Sequence, residues 1–146
     1  MVKKLLSKLF GSKKKKVLVF DEDAEQRKLM DIHMDNLGYE AVPAESQEEV
    51  EKLLSKSPSI DMLLFSISKK KRDAVTFAKD LRKRNNLRRI PLLFANQDFA
   101  PTELERLTES IPNSRALSKP FSVTQLRDSM RDMLNPKDAT PESTGK

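Results

Sequence analysis

Four short apolar runs recur along the chain at intervals of roughly 20 to 30 residues, each followed by a stretch with helical periodicity. They are Val17–Phe20, Asp61–Ser66, Ile90–Ala95 and a weaker Arg115–Leu117. Tyr39–Val42 adds a fifth, introduced by Gly38, which is placed to end a helix in the left-handed conformation. The intervening stretches predict helices over Ala24–Leu37, Ser46–Lys56, Asp73–Arg84, Pro101–Ser110 and Val123–Leu134. Ser46 with Glu49, and Ser122 with Gln125, have the capping-box spacing that supplies acceptors to unpaired amides at a helix start. Strand and helix therefore alternate five times. Parallel strands need crossover connections, and those crossovers are right-handed, so the pattern predicts an α/β fold with one doubly wound, five-stranded parallel sheet. In open sheets of this kind the binding crevice lies at the carboxyl ends of the strands.

Length and composition narrow the picture. The 146 residues suit one domain, over 16–135, with a basic arm at 1–15 and a polar, proline-broken tail at 136–146 that is expected to be disordered. No cysteine is present, so disulfides are excluded, and no apolar run approaches the length needed to cross a bilayer. A reducing, cytoplasmic setting is the expectation. Lys4, Ser7 and Lys8 interrupt the apolar residues at the N-terminus, which argues against a secretory signal.

The net charge of +6 is unevenly placed. Residues 1–16 hold seven lysines and no acid, so the other 130 residues sum to −1. A second basic block, Lys69 to Arg89, carries ten basic residues against Asp73 and Asp80. Within the arm, Val2, Leu5, Leu6, Leu9 and Phe10 fall on an arc of about 140° at helical spacing, followed by Lys13, Lys14, Lys15 and Lys16. So short an amphipathic helix is marginal in water and would fold against a surface. An anionic membrane, a partner's apolar groove and nucleic acid are the candidate surfaces, beside the plain alternative of a basic tail that aids solubility. Within the second block, Arg82–Arg89 taken alone reads as a solvated helix end and turn.

The strand ends form a set. "VLVFDED" puts Asp21 and Glu22 after the first strand, and "LLFSIS" puts Ser66 at the end of the third. "IPLLFAN" puts Asn96 after the fourth, and "LSKPF" puts Lys119 and Pro120 after the fifth. Together with "NLGYE", in this order and spacing, these segments resemble the response-regulator receiver domain over roughly Lys16 to Leu134. The resemblance implies a flavodoxin-like (βα)5 fold. It also implies an acidic pair that binds Mg²⁺, an aspartate that accepts phosphate from a histidine kinase, a lysine that contacts the phosphoryl group, and a hydroxyl and an aromatic that relay the signal. Asp21, Glu22 and Lys119 match that pattern, whereas Ser66, Asn96 and Ala116 replace the acceptor aspartate, the hydroxyl and the aromatic.

A carboxylate is ionised near neutral pH and can attack a phosphodonor, whereas a hydroxyl needs a base to become nucleophilic. Position 66 is thus expected to be a former phosphorylation site, with Asp21 and Glu22 left as a weak Mg²⁺ site at most. An ammonium from Lys69, Lys70 or Lys71 is expected to stand near these acids as a counter-charge. The alternative for Asp21 and Glu22 is simply to cap the helix beginning near Ala24. His33, between Met30 and Met34, reads as a packed or boundary residue. Asp61 begins the third strand, which at about 3.3 Å per residue puts it at the far edge of the sheet, and Asp98 sits in the loop after the fourth strand.

The expected function is that of a stand-alone degenerate receiver domain, a non-enzymatic interaction module; the resemblance implies that a protein partner is taken on the face of its fourth helix, fifth strand and fifth helix. Homodimerisation through that face, and recruitment to the inner face of a membrane by the arm, are further expectations. The alternatives are a receiver still responding to a phosphodonor through Asp21, Glu22, Ser66 and Lys119, and an adaptor for anionic membrane or nucleic acid. Low aromatic content and the lack of a helix-turn-helix pattern disfavour nucleic acid.

Overall fold

The computed structural model describes residues 14–56 and 59–135. The arm residues Val2, Leu5, Leu6, Leu9, Phe10 and Lys13 and the tail 136–146 lie outside them. The elements run β1 (Lys16–Phe20), α1 (Ala24–Leu37), β2 (Glu40–Ala44), α2 (Gln47–Lys56), β3 (Met62–Ile67), α3 (Asp73–Arg82), β4 (Leu92–Asn96), α4 (Pro101–Ser110), β5 (Ser114–Ser118) and α5 (Val123–Leu134), with a 3-10 turn at Asn85–Leu87. All strand pairings are parallel, in the order β2-β1-β3-β4-β5. The predicted doubly wound five-stranded sheet is what forms.

Strand periodicity explains both faces of the core, because successive side chains point to opposite sides of the sheet. Leu18, Phe20, Leu63, Phe65, Leu92 and Phe94 face one side and pack on α2, α3 and α4 through Val50, Phe77 and Leu81, with Leu104 and Leu107 partly buried beside them. Val17, Val19, Met62, Leu64, Leu93 and Ala95 face the other and meet Met30 and Met34 of α1 and Leu126, Met130 and Met133 of α5. Phe20, Phe65 and Phe77 form an aromatic cluster, with Phe20 edge-on to Phe65 at 5.2 Å and Phe65 stacked on Phe77 at 6.0 Å. Phe20 and Phe65 immediately precede Asp21 and Ser66, so this cluster forms the floor beneath the sheet's carboxyl edge.

Several boundaries differ from the sequence expectation. The second strand covers Glu40–Ala44 rather than Tyr39–Val42, and so includes Pro43, which an edge strand tolerates because it pairs on one side only. Tyr39 instead closes the end of α1: its amide donates to Met34 O (2.9 Å) while Gly38, at φ 88°, donates to Asp35 O (3.1 Å). The fourth strand starts at Leu92 rather than Ile90, past Pro91, whose carbonyl accepts from the Leu63 amide. The third helix stops at Arg82 rather than Arg84.

The reading of Arg82–Arg89 as wholly solvated is corrected. Arg82 is 94% buried: its Nη1 donates to Leu87 O, its Nη2 to Asn113 O at 3.4 Å, and its Nε has no partner among the described residues. Burial pushes its pKa below the usual arginine value. Arg84 is taken up by Glu51 in a two-pronged pair of 2.6 and 2.7 Å. The exposed residues in that stretch include Lys83, Arg88 and Arg89.

Candidate functional site

Asp21 follows β1 directly and is buried. Its Oδ1 accepts from the Asp23 amide (2.9 Å) and its Oδ2 from Ser66 Oγ (2.7 Å). Helix α1 is capped by Asp23, which accepts from the Glu25 and Gln26 amides at 2.9 and 3.1 Å, so the capping alternative for Asp21 and Glu22 does not hold. A short acceptor two residues further on serves the helix and leaves Asp21 for the strand end. Arg27 braces the same loop, donating from Nη1 to Asp21 O at 2.7 Å.

Ser66 is the penultimate residue of β3, half-buried, on the neighbouring strand to Asp21. Its hydroxyl spends its proton on the Asp21 carboxylate, a charge-assisted bond of the stronger class. Glu22 is exposed, with Lys71 Nζ 3.4 Å from its Oε1. Lys119 follows β5; its Nζ donates to Gln26 Oε1 (3.1 Å) and its amide to Asn96 O (2.8 Å). Asp21, Glu22, Ser66, Lys71 and Lys119 line one cleft of about 210 Å³ at the carboxyl edge of the sheet.

Asn96 and Ala116 do not join that cleft. Asn96, the last residue of β4, is fully buried with its amide group turned toward the following loop and β5. Its Nδ2 donates to Phe99 O and Ser118 Oγ (3.0 Å each) and its Oδ1 accepts from Phe99 N (2.9 Å). Ala116 lies in the middle of edge strand β5, opposite Phe94, half-buried against the core. Asp61 is at the far edge as expected, its Oδ2 accepting from the Lys16 amide at 2.8 Å. Asp98 accepts from the Lys69 amide at 2.8 Å, which ties the loops after β3 and β4 together.

The basic loop after β3 spans two acids. Lys71 faces Glu22, while Lys69 Nζ and Arg72 Nη2 each stand 3.8 Å from Glu103 at the start of α4. Arg72 also lies 5.2 Å above the Phe99 ring. Each pair is solvent-exposed and individually contributes about 0–1 kcal/mol. Sequence reading missed Gln26, which meets Lys119; its position in the first turn of α1, three residues past the Asp23 cap, is the signal that places it at this edge.

Few donors are left for a Mg²⁺: each oxygen of Asp21 already accepts one hydrogen bond, Glu22 faces an ammonium, and no group of three or more acids and imidazoles suited to a metal occurs among the described residues, which leaves Asp21 and Glu22 a weak site at most.

No protein-family model and no curated protein sequence matches the chain. Solved structures do. A response regulator of Chloroflexus aurantiacus superposes with a TM-score of 0.73 at 23% identity, over 84% of this chain and 98% of that one. The chemotaxis response regulator CheY4 of Vibrio cholerae gives 0.71 at 19% identity, over 83% and 99%. The receiver domain of the sensor histidine kinase PA1611 of Pseudomonas aeruginosa, solved with a magnesium ion in its active-site cleft, gives 0.71 at 15% identity, over 84% and 99%. The described sheet and its strand order are accordingly those of the response-regulator receiver fold.

Proposed function

We propose that the chain is a degenerate receiver domain that signals by contact and not by covalent phosphorylation. The observation that carries this is the 2.7 Å hydrogen bond from Ser66 Oγ to Asp21 Oδ2. It pairs the alcohol at the acceptor position with the carboxylate that would otherwise help bind a metal. A carboxylate is a weak base toward an alcohol proton and no imidazole lines the cleft among the described residues, so we read the pair as a structural contact and not as an activated nucleophile. Lys71 against Glu22 adds a fixed counter-charge at the mouth of the cleft.

Without a covalent step the output is binding, and no enzymatic activity is assigned. The face formed by α4, β5 and α5 suits a protein partner, a second copy of the chain included. Helix α4 buries no residue fully and β5 is an edge strand of half-buried residues, so apolar and backbone groups remain accessible there. With Ala116 on β5 and Asn96 locked to Phe99 and Ser118, this face is held in one conformation.

Incubation with a small acyl phosphate and Mg²⁺, followed by intact-mass measurement, tests the reading. The expected result is unchanged mass. A stoichiometric phosphate adduct would reinstate phosphorelay chemistry through Asp21, Ser66 and Lys119.

A further inference from the structure

We propose that the amino edge of the sheet is a docking surface for an anionic lipid bilayer, which holds the domain with its carboxyl-edge cleft facing away from the membrane. Neither the chemistry of position 66 nor the α4–β5–α5 face enters this inference. In a parallel sheet every strand begins at the same edge, and the register places Lys16 beside Glu40, Val17 beside Met62, Leu63 beside Leu92, and Leu92 beside Ser114. The residues leading into β1 and β4 therefore lie on the same edge. Only β3 separates those two strands, a gap of about 10 Å.

That edge presents exposed Lys15, Arg88 and Arg89, joined by Lys56 and Lys83 from the ends of α2 and α3. None of these five has a carboxylate within 4.0 Å among the described residues. Of the acids at the same edge, Asp35 stands 4.0 Å from Lys14 Nζ and Asp61 accepts from the Lys16 amide, while Glu40, beside Lys16 in the register, is exposed. The opposite edge carries Asp21, Glu22, Asp23, Asp73 and Asp98 together with Lys69, Lys70, Lys71, Arg72 and Lys119, so acids there face cations, whereas the amino edge holds cations without an acidic partner among the described residues.

The loop that offers Arg88 and Arg89 is held in place. Buried Arg82 grips Leu87 O and Asn113 O, and Asn113 Nδ2 in turn donates to Arg89 O at 3.2 Å. The chain before residue 14 leaves from this same edge, and its sequence adds Lys3, Lys4, Lys8 and Lys13 together with Val2, Leu5, Leu6, Leu9 and Phe10. Those apolar residues distinguish a bilayer from nucleic acid. A duplex offers phosphates but no place to bury five apolar side chains, whereas a bilayer interface offers both.

The full chain, mixed with vesicles of phosphatidylcholine alone or with phosphatidylglycerol, is expected to co-sediment with the anionic vesicles only. Changing Arg88→Gln and Arg89→Gln together, at exposed positions outside the core, is expected to weaken binding about 30-fold with the arm intact. Leu6→Asp is expected to abolish it. Because the chain has no cysteine, Asn86→Cys and Gln97→Cys place single fluorophores at opposite ends of β4. Quencher-bearing lipids should dim the label at 86 and spare the label at 97. Unaltered affinity of the Arg88/Arg89 variant, equal quenching of the two labels, equal binding to neutral vesicles, or no vesicle binding would each overturn the proposal. So would retardation of duplex DNA at the affinity measured for anionic vesicles and insensitive to Leu6→Asp.

Discussion

Ser66→Asp restores the side chain of a phosphoacceptor and should destabilise the fold while making it magnesium-dependent. Two effects set the size. The charge-assisted bond from Ser66 Oγ to Asp21 Oδ2, 2.7 Å long, is lost, at about 1.5–3 kcal/mol. A second carboxylate then stands about 4 Å from Asp21, where two like charges repel by about 4 kcal/mol at an effective dielectric of 20. Rotation of the new side chain toward solvent and uptake of a proton relieve part of that repulsion, so a net loss of about 2–4 kcal/mol is expected. In urea denaturation followed by circular dichroism at pH 7, with a slope of about 1.5 kcal/mol/M, the midpoint should fall by about 1–3 M. Mg²⁺ now finds two facing carboxylates, and at a hundredfold excess over its Kd should return about 2.7 kcal/mol. The unsubstituted chain should gain nothing comparable. A Ser66→Asp protein as stable as its parent without Mg²⁺, or a parent stabilised by Mg²⁺ to the same degree, would refute the reasoning.

Other residues give independent checks. Asn96→Ala removes three hydrogen bonds from a fully buried position and leaves the polar groups of Phe99 and Ser118 unpaired; a loss of about 2–3 kcal/mol in the same urea assay is expected. Arg82→Ala strands the Leu87 and Asn113 carbonyls and empties a packed site, and should cost about 2–4 kcal/mol. The Arg84 guanidinium bonded to Glu51 holds that carboxyl below its ordinary value, so the pair's stabilisation is complete above the unfolded glutamate range near pH 4.3 and is lost as pH falls through the lower folded value. Because both side chains are more than a third exposed, Glu51→Gln should lower stability by only about 0.5–1 kcal/mol at pH 7, and the gap should close below about pH 4.

The fold was legible because its three central strands, β1, β3 and β4, are buried on both faces. Runs such as Val17–Phe20 and Leu92–Ala95 carry no polar residue, and their alternate members feed two separate cores, which only a two-sided parallel sheet provides. Capping was legible where spacing alone decides it: Ser122 and Gln125 exchange the expected bonds. At the start of α2 the exchange is shifted, since Ser46 Oγ accepts from Glu49 N but Glu49 reaches the Glu45 amide.

Charge density misled at Arg82. Inside a run of basic residues it read as solvated, yet it falls four residues after Ala78 and eight after Ala74 on the buried stripe of α3, the spacing that places a side chain against the sheet. At the site, strand-end position was enough to gather Asp21, Glu22, Ser66 and Lys119 into one cleft. It was not enough for Asn96, because an amide beside two loop carbonyl and amide groups is satisfied locally and turns away from the cleft.

The central claim, that the acceptor position is closed to phosphoryl chemistry, is tested most directly by titrating the ¹⁵N-labelled chain with beryllofluoride and Mg²⁺ and following the amides of residues 21, 66 and 119. The account predicts no saturable shift at any of the three. A saturable shift centred on Ser66, accompanied by changes along β5 and α4, would contradict it.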